Sequence, residues 1–257
     1  MHMIEIAGGG KMPALGLGTW QLRGRDCARV VKLALSLGYR HIDTAEMYGN
    51  ENEVGDAIAE SGVSRGDLFV TTKIWNSNFR ASAARRSAEA SLRALKLDHV
   101  DLLLMHWPND SVPLAETLGE MSRLLEEGKT RAIGVSNFPP DLLGRAIAAS
   151  PKPVACDQVR FHVGAAQDDL LAVARPKGVA ITAYSPLGKG GLASDRTLAK
   201  IGAKYGKSAS QIALRWLIEQ EGVSAIPKAS SETNLRANLA IFDFKLDDED
   251  RAMIARL

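Results

Sequence analysis

The sequence predicts an α/β fold, a (β/α)8 TIM barrel in one domain spanning 1–257, and three observations carry that prediction. Eight short apolar runs alternate with longer stretches of helical periodicity. Most of the runs are nearly continuous up to a polar end, as parallel strands covered on both faces require. No stretch between them has the composition of a linker, and α/β barrels of this length commonly form one unit.

In chain order, MIEIAGGGKMPAL places two short strand-like pieces around a glycine-rich turn, so an N-terminal β-hairpin is expected to cap the barrel bottom. The eight barrel strands are expected at 14–20, 39–44, 68–75, 100–107, 131–138, 153–159, 178–185 and 223–229. Helical patterns occupy 26–37, 82–95, 114–127, 141–149, 165–175, 208–220 and 231–240, and another opens at Asn50. There Asn50-Glu51-Asn52-Glu53 resembles a capping box, with Asn50 bonding the backbone of Glu53 and the Glu53 carboxylate reaching back. Val54 and Ile58 then share a buried face, and Gly62 supplies a C-terminal stop. LDDEDRAMIARL reads as a short C-terminal helix, acidic in its first turn and with Arg256 in its last.

A hydrophobic content of 46% supports a large core, and a formal net charge of +2 gives no reason to expect a nucleic-acid or anionic-membrane partner. Arg85, Arg86, Arg93 and Lys96, spaced among alanines, read as a solvated helix face. Cys27 and Cys156 have no metal-ligand spacing and read as buried thiols in a reducing compartment. His2, His41, His99, His106 and His162 show no paired ligand spacing, so no metal is expected. The N-terminus lacks a signal-type apolar core, and no run approaches the roughly 18 apolar residues of a membrane span. A soluble, cytoplasmic protein is the expectation.

The catalytic face of such a barrel lies at the C-terminal ends of its strands. The second expected strand delivers Asp43 there, with Tyr48 just beyond; the third delivers Lys73 and the fourth His106. The fifth brings Ser136 and Asn137, the sixth Asp157 and Gln158, the seventh Tyr184 and Ser185, and the eighth Lys228. Each has a plainer reading: Asp43 and Lys73 as a structural ion pair, His106 as a core histidine, Tyr184 as packing. Those readings weaken together, because all must hold at one end of one barrel.

Adjacent strands lie ~4.8 Å apart, so Asp43, Lys73 and His106 can surround one pocket, with Tyr48 arriving from the loop. An ammonium about 4 Å from a phenolate gains roughly 4 kcal/mol at an effective dielectric near 20. That pull lowers a tyrosine pKa of ~10 by up to about three units before desolvation takes part of it back. Such a phenol is a general acid near neutral pH, and Asp43 keeps the lysine charged and in place.

At these residues the chain resembles the aldo-keto reductase superfamily over essentially its whole length. GLGTW (16–20), IDTAEMYGNE (42–51), TTKIW (71–75), LLMHWP (103–108), IGVSNF (133–138), Gln158 in DQV, AYSPLG (183–188) and IPKAS (226–230) occur in the family's order. The nearest flavour is the bacterial group acting on diketogluconate and methylglyoxal-like dicarbonyls. The resemblance implies that Tyr48 donates a proton to a substrate carbonyl, that Lys73 and Asp43 tune it, and that His106 orients the carbonyl oxygen. It implies NADPH as the hydride source, with NADH use credible. Ser136, Asn137 and Gln158 would hold the nicotinamide carboxamide, and Tyr184 would stack on the ring. Asp43 and Thr19 would meet the nicotinamide ribose, and Ser185, Leu187 and Gly188 the pyrophosphate. Lys228 and Ser230 would face the adenosine 2′-phosphate, with Asn238 near the adenine.

The chain departs from the family pattern where Ala229 replaces a usual Ser and Asn234 replaces a phosphate-binding Arg. Trp20, Trp75 and Trp107 each close a strand-end motif and suggest an aromatic wall around the substrate, whereas Trp216 sits in a helical pattern and reads as core. Ending at Leu257, the chain is expected to have an open site with broad specificity for small aldehydes and dicarbonyls. The reading is a monomeric carbonyl reductase with a small-molecule substrate. Two rivals remain: an aldolase using Lys73 as a Schiff-base nucleophile, and a slowly turning cofactor-binding sensor.

Overall fold

The computed structural model describes residues 2–257. Alternation in MIEI turns Ile4 and Ile6 inward on strand β1 (Met3–Ile6), which pairs antiparallel with β2 (Gly10–Pro13). Gly8 and Gly9 make the turn at φ 92° and 84°, a region open to glycine. The hairpin closes the barrel bottom. Met12 is fully buried, its sulfur facing the Thr182 hydroxyl at 3.8 Å, and Ser224 Oγ donates to the Pro13 carbonyl at 3.0 Å.

The barrel strands are β3 (Leu17–Gly18), β4 (His41–Asp43), β5 (Phe69–Ile74), β6 (Leu102–Met105), β7 (Ile133–Ser136), β8 (Val154–Arg160), β9 (Ala180–Tyr184) and β10 (Val223–Ala225). All neighbours are parallel and follow chain order. The sheet closes on itself where Leu15 bridges Ala225 and the Gly16 amide donates to the Ala225 carbonyl at 2.9 Å. Gly18 belongs to this seam for a steric reason: a Cβ there would lie 2.7 Å from the Ile226 carbonyl oxygen. The expected first strand, 14–20, therefore shrinks to two ladder residues and a bridge, because it meets a three-residue partner.

Among the described residues ten α-helices cover and close the sheet: α1 (Gly24–Leu37), α2 (Glu51–Glu60), α3 (Ala81–Leu95), α4 (Leu114–Glu126), α5 (Pro140–Ala149), α6 (Asp168–Ala174), α7 (Arg196–Tyr205), α8 (Ala209–Ile218), α9 (Glu232–Leu239) and α10 (Asp248–Ile254). Three expectations need correction. A single helix was expected between β9 and β10, but two are found. Asp195 caps α7 by accepting from the Leu198 amide, Gly206 ends it in the left-handed region, and Ser208 with Gln211 forms a capping box for α8. The second correction is at Asn50, whose side chain makes no cap bond because it is fully buried and bonded elsewhere. Arg256 also lies just past the last helix rather than in its final turn.

The basic face of α3 is laced to acidic neighbours. Arg85 donates to Glu120 at 2.6 Å and to Glu127 at 2.7 Å, and Lys96 pairs with Asp56, while Arg86 and Arg93 face solvent. Cys27 and Cys156 are separate buried thiols. Among the described residues no helix is long and apolar enough to cross a membrane, and no cluster of three or more His, Cys, Asp or Glu is placed to hold a metal.

Asp157, inaccessible to solvent in β8, is poorly served. Its Oδ1 accepts from the Phe138 amide at 3.5 Å and its Oδ2 has no partner. Burial pushes its pKa well above the usual carboxyl range. A folded pKa above the unfolded one means that the contribution of this group to stability is fully present at low pH and is lost as pH rises through the folded value. Asp157→Asn removes that ionisation and should stabilise the protein by about 1–3 kcal/mol at neutral pH. The gain should shrink toward pH ~4, near the ordinary Asp pKa. Urea midpoints of both proteins at the two pH values check this.

Candidate active site

Alternate strand residues share a face, so His41 and Asp43, Thr71 and Lys73, Cys156 and Gln158, and Thr182 and Tyr184 enter the barrel in two layers. The lower layer is self-satisfied: His41 Nε2 meets Thr71 Oγ1 at 3.1 Å and Cys156 Sγ meets Thr182 Oγ1 at 3.2 Å. The upper layer is organised around Lys73. Its Nζ donates to Asp43 Oδ1 at 2.6 Å, to the Thr44 carbonyl at 2.7 Å and, at 3.4 Å, to the Tyr48 hydroxyl. Gln158 Nε2 donates to the other Asp43 oxygen at 2.6 Å.

Tyr48 is carried on a single 3-10 turn (Glu46–Tyr48) that Gly49 ends at φ 61°. Glu46 anchors the turn by accepting from Ser87 Oγ and from Asn78 Nδ2. The Tyr48 ring centroid lies 5.6 Å from that of His106, edge to face, and His106 lies 5.1 Å from Trp75. Asp43, Tyr48, Lys73 and His106 therefore meet in one place.

Burial disfavours the Lys73 ammonium, yet Asp43 outweighs it and holds the pKa above the usual lysine value. Burial raises the Asp43 carboxyl against the opposing pull of Lys73 and Gln158. With both carboxylate oxygens taken by donors at 2.6 Å, the pair is ionised. His106 is pushed down to about 3 by burial and by Lys73, so at neutral pH it is an uncharged imidazole. Its Nδ1 is buried without a partner.

Tyr48 departs from expectation: its pKa is raised, not lowered. Desolvation exceeds the attraction of Lys73, which is 3.4 Å away and already committed to Asp43 and Thr44. The phenol is an ordinary-to-weak acid held in place, rather than one tuned toward neutrality.

Around this centre, Trp20 lies 4.8 Å from the Tyr48 ring, and Trp20 and Trp107 are 44% and 42% exposed, so two of the three expected wall tryptophans border an open mouth. Trp75 is half-buried, and Trp216 packs in the core against Phe161. Beside the mouth, Ser136 Oγ donates to the Gln158 carbonyl at 2.7 Å, and Asn137 Nδ2 donates to the His106 carbonyl at 3.0 Å. The half-buried Tyr184 donates its hydroxyl to Asn137 Oδ1 at 2.8 Å. Asn137 and Ser185 hold φ of 64° and 48°, left-handed conformations that non-glycine residues adopt under constraint.

These residues fit a nicotinamide dinucleotide. The Asn137 amide meets the hydroxyl of the half-buried Tyr184, and the backbone turns into the left-handed region at Gly188 just after Leu187, a shape that gathers N–H groups for an anion. Lys228 and Ser230 are exposed just ahead of α9, with Asn234 exposed in its first turn. Four residues expected at the cofactor have other contacts here or lie deeper. The Thr19 hydroxyl donates to the Asp43 carbonyl at 2.9 Å, Leu187 and Gly188 are half-buried, and Asn238 is buried against Tyr39.

Sequence reasoning missed Asn50. Its Oδ1 accepts from Thr44 at 2.7 Å, and its Nδ2 donates to the carbonyls of Thr19 at 3.0 Å and Leu22 at 3.1 Å. One amide thus joins the Trp20 loop to the Tyr48 turn.

A parallel barrel that brings Asp43, Lys73 and Tyr48 into one bonded group beside a neutral His106 at its C-terminal end is the architecture of an oxidoreductase of the aldo/keto reductase kind. The family's sequence pattern matches residues 14–257, and the chain belongs to the aldo/keto reductase family. It is 41% identical over 249 residues to methylglyoxal reductase DkgB of Escherichia coli O157:H7, covering 96% of this chain and 93% of that protein. It is 40% identical to the glyoxal reductase of Bacillus subtilis, covering 99% and 92%. A solved structure described as a 2,5-diketo-D-gluconic acid reductase B superposes with a TM-score of 0.97 at 43% identity, covering 100% of this chain and 92% of that one.

Proposed function

We propose that this protein reduces small aldehydes, ketones and dicarbonyls to alcohols, with Tyr48 as proton donor and NADPH as the preferred cofactor. The observation that carries the proposal is the Lys73 ammonium, bonded at once to Asp43 and the Tyr48 hydroxyl beneath an open mouth. A bound nicotinamide supplies hydride to the carbonyl carbon. The carbonyl oxygen then takes the Tyr48 proton, leaving a phenolate that Lys73 stabilises and solvent reprotonates. A raised phenol pKa does not forbid this. The nascent alkoxide is a base comparable to hydroxide, whose conjugate acid sits at about 15.7, so transfer from a phenol is downhill. Neutral His106 can donate an N–H to the same oxygen without adding a charge.

The cofactor contacts proposed are those of the resemblance: Ser136, Asn137, Gln158 and Tyr184 at the nicotinamide, Thr19 and Asp43 at its ribose, and Ser185, Leu187 and Gly188 at the pyrophosphate. Asn238 is assigned to the adenine side, and Lys228 with Ser230 to the 2′-phosphate. With Asn234 offering no guanidinium, Lys228 is the main cation there. Lys228→Ala should weaken NADPH by about tenfold or more and NADH by less than about twofold. Fluorescence titration of both cofactors checks this, and equal losses would remove the assignment.

Lys73 as a Schiff-base nucleophile is disfavoured, because that chemistry needs a neutral amine and Asp43 holds this one charged. An NADPH-oxidation screen over aldehydes, dicarbonyls and keto-sugars tests the reductase directly. Steady turnover supports it, while tight NADPH binding without turnover means a sensor. A cytoplasmic monomer acting as one domain over 1–257 completes the proposal.

A further inference from the structure

Arg23 has no part in the chemistry above. It precedes α1 with an extended backbone, φ −136° and ψ 147°, and its side chain makes no capping bond. The guanidinium reaches back instead: Nη1 donates to the Tyr48 carbonyl, and Cζ lies 5.8 Å from the Trp20 ring centroid. Because Trp20 also packs on the Tyr48 ring, this cation sits on the outer wall of the pocket, about one tyrosine side chain from the phenolic oxygen.

Neither contact is an acid. The side chain is exposed, and of its five N–H donors the Tyr48 carbonyl engages Nη1. Asp26 is paired with Arg29 at 3.3 Å and Glu46 accepts from Ser87 and Asn78; Glu53 shares the surroundings of the Cys27 thiol with Arg23, but no salt bridge joins the two. The loop that carries Arg23 is pinned by Asn50 at Thr19 and Leu22 and by the Leu22 amide on the Thr19 carbonyl at 3.0 Å. A planar fork on a pinned loop at the pocket rim, with no salt-bridge partner among the described residues, is suited to an anion with paired oxygens.

We propose that Arg23 is a specificity-determining residue that binds an anionic group of the substrate, and that the preferred substrates are carbonyl compounds bearing a carboxylate or phosphate a few bonds from the reacting carbon. This rests on the reductase reading. The test compares kcat/KM for 4-oxobutanoate against its methyl ester, and for glyceraldehyde 3-phosphate against glyceraldehyde. Wild type, Arg23→Gln and Arg23→Lys are measured; glutamine keeps a donor for the Tyr48 carbonyl without the charge.

Wild type should favour at least one anion over its neutral partner by about tenfold, chiefly through KM. Whichever pair shows the preference identifies carboxylate or phosphate. Arg23→Gln should erase the ratio, Arg23→Lys should keep part of it, and high salt should shrink it in wild type. No anion preference in wild type, or an Arg23→Gln variant that keeps the ratio, overturns the proposal. Turnover of the neutral compounds without anion preference refutes Arg23 alone, whereas no turnover of any of the four refutes the reductase reading beneath it.

Discussion

Tyr48→Phe is expected to lower kcat for carbonyl reduction by about 10³-fold or more while changing dinucleotide affinity by less than about twofold. The substitution removes one hydroxyl and little else. The phenyl ring keeps its place 4.8 Å from Trp20 and 5.6 Å from His106, so the pocket wall survives. Lys73 loses its longest bond, at 3.4 Å, and keeps Asp43 and Thr44. A defect confined to proton transfer should appear in kcat, and single-turnover kinetics beside fluorescence titration of the cofactor separate the two readouts. A variant that retained a large share of the rate would mean that water or His106 supplies the proton.

Lys73→Met should remove both activity and stability, and the two losses should respond differently to a second substitution. The side chains of Lys73 and Asp43 are 0% and 2% exposed, so deleting the ammonium leaves an uncompensated buried carboxylate at a cost of about 3–5 kcal/mol. Adding Asp43→Asn removes that orphan charge and should recover much of the stability, but not the rate, since no cation then faces the Tyr48 phenolate. The pH dependence has a definite sign. Without Lys73 the folded Asp43 pKa rises further above its unfolded value, so the single variant's deficit is largest at neutral pH and shrinks as pH falls toward ~3.9. Urea denaturation at two pH values, with kcat for each variant, measures both. Equal recovery of rate and stability in the double variant would place Lys73 in the scaffold and not in the chemistry.

The sequence made the barrel and the four central side chains legible because both depend on short-range regularities. Apolar runs with polar ends define parallel strands, and strand parity puts Asp43, Lys73 and Gln158 on one face with no further information. What escaped depends on distances between segments far apart in the chain. Asn50 looked like a helix cap from its three following residues, but Thr44 and the carbonyls of Thr19 and Leu22 compete for its amide and win. The direction of the Tyr48 shift was misjudged for a similar reason, since the pull of Lys73 could be guessed and the depth of burial could not. Helix α7 had readable signals in Asp195 and Gly206; the expectation of one helix per strand hid them. Arg23 carried no signal at all, because an arginine before a helix becomes interesting only once its contacts prove neutral.

The amide of Asn50 constrains how this protein can be remodelled. Because it fastens the segment bearing Trp20 to the turn bearing Tyr48, the proposed acid, redesign of residues 19–23 to admit bulkier molecules would also shift that side chain. Trp107 is exposed, and the Asn109 side chain that follows reaches the Tyr48 turn only indirectly, through the Asn76 carbonyl at 2.8 Å on the segment whose Asn78 holds Glu46. Replacing Trp107 itself is therefore the less disruptive route to an altered selectivity.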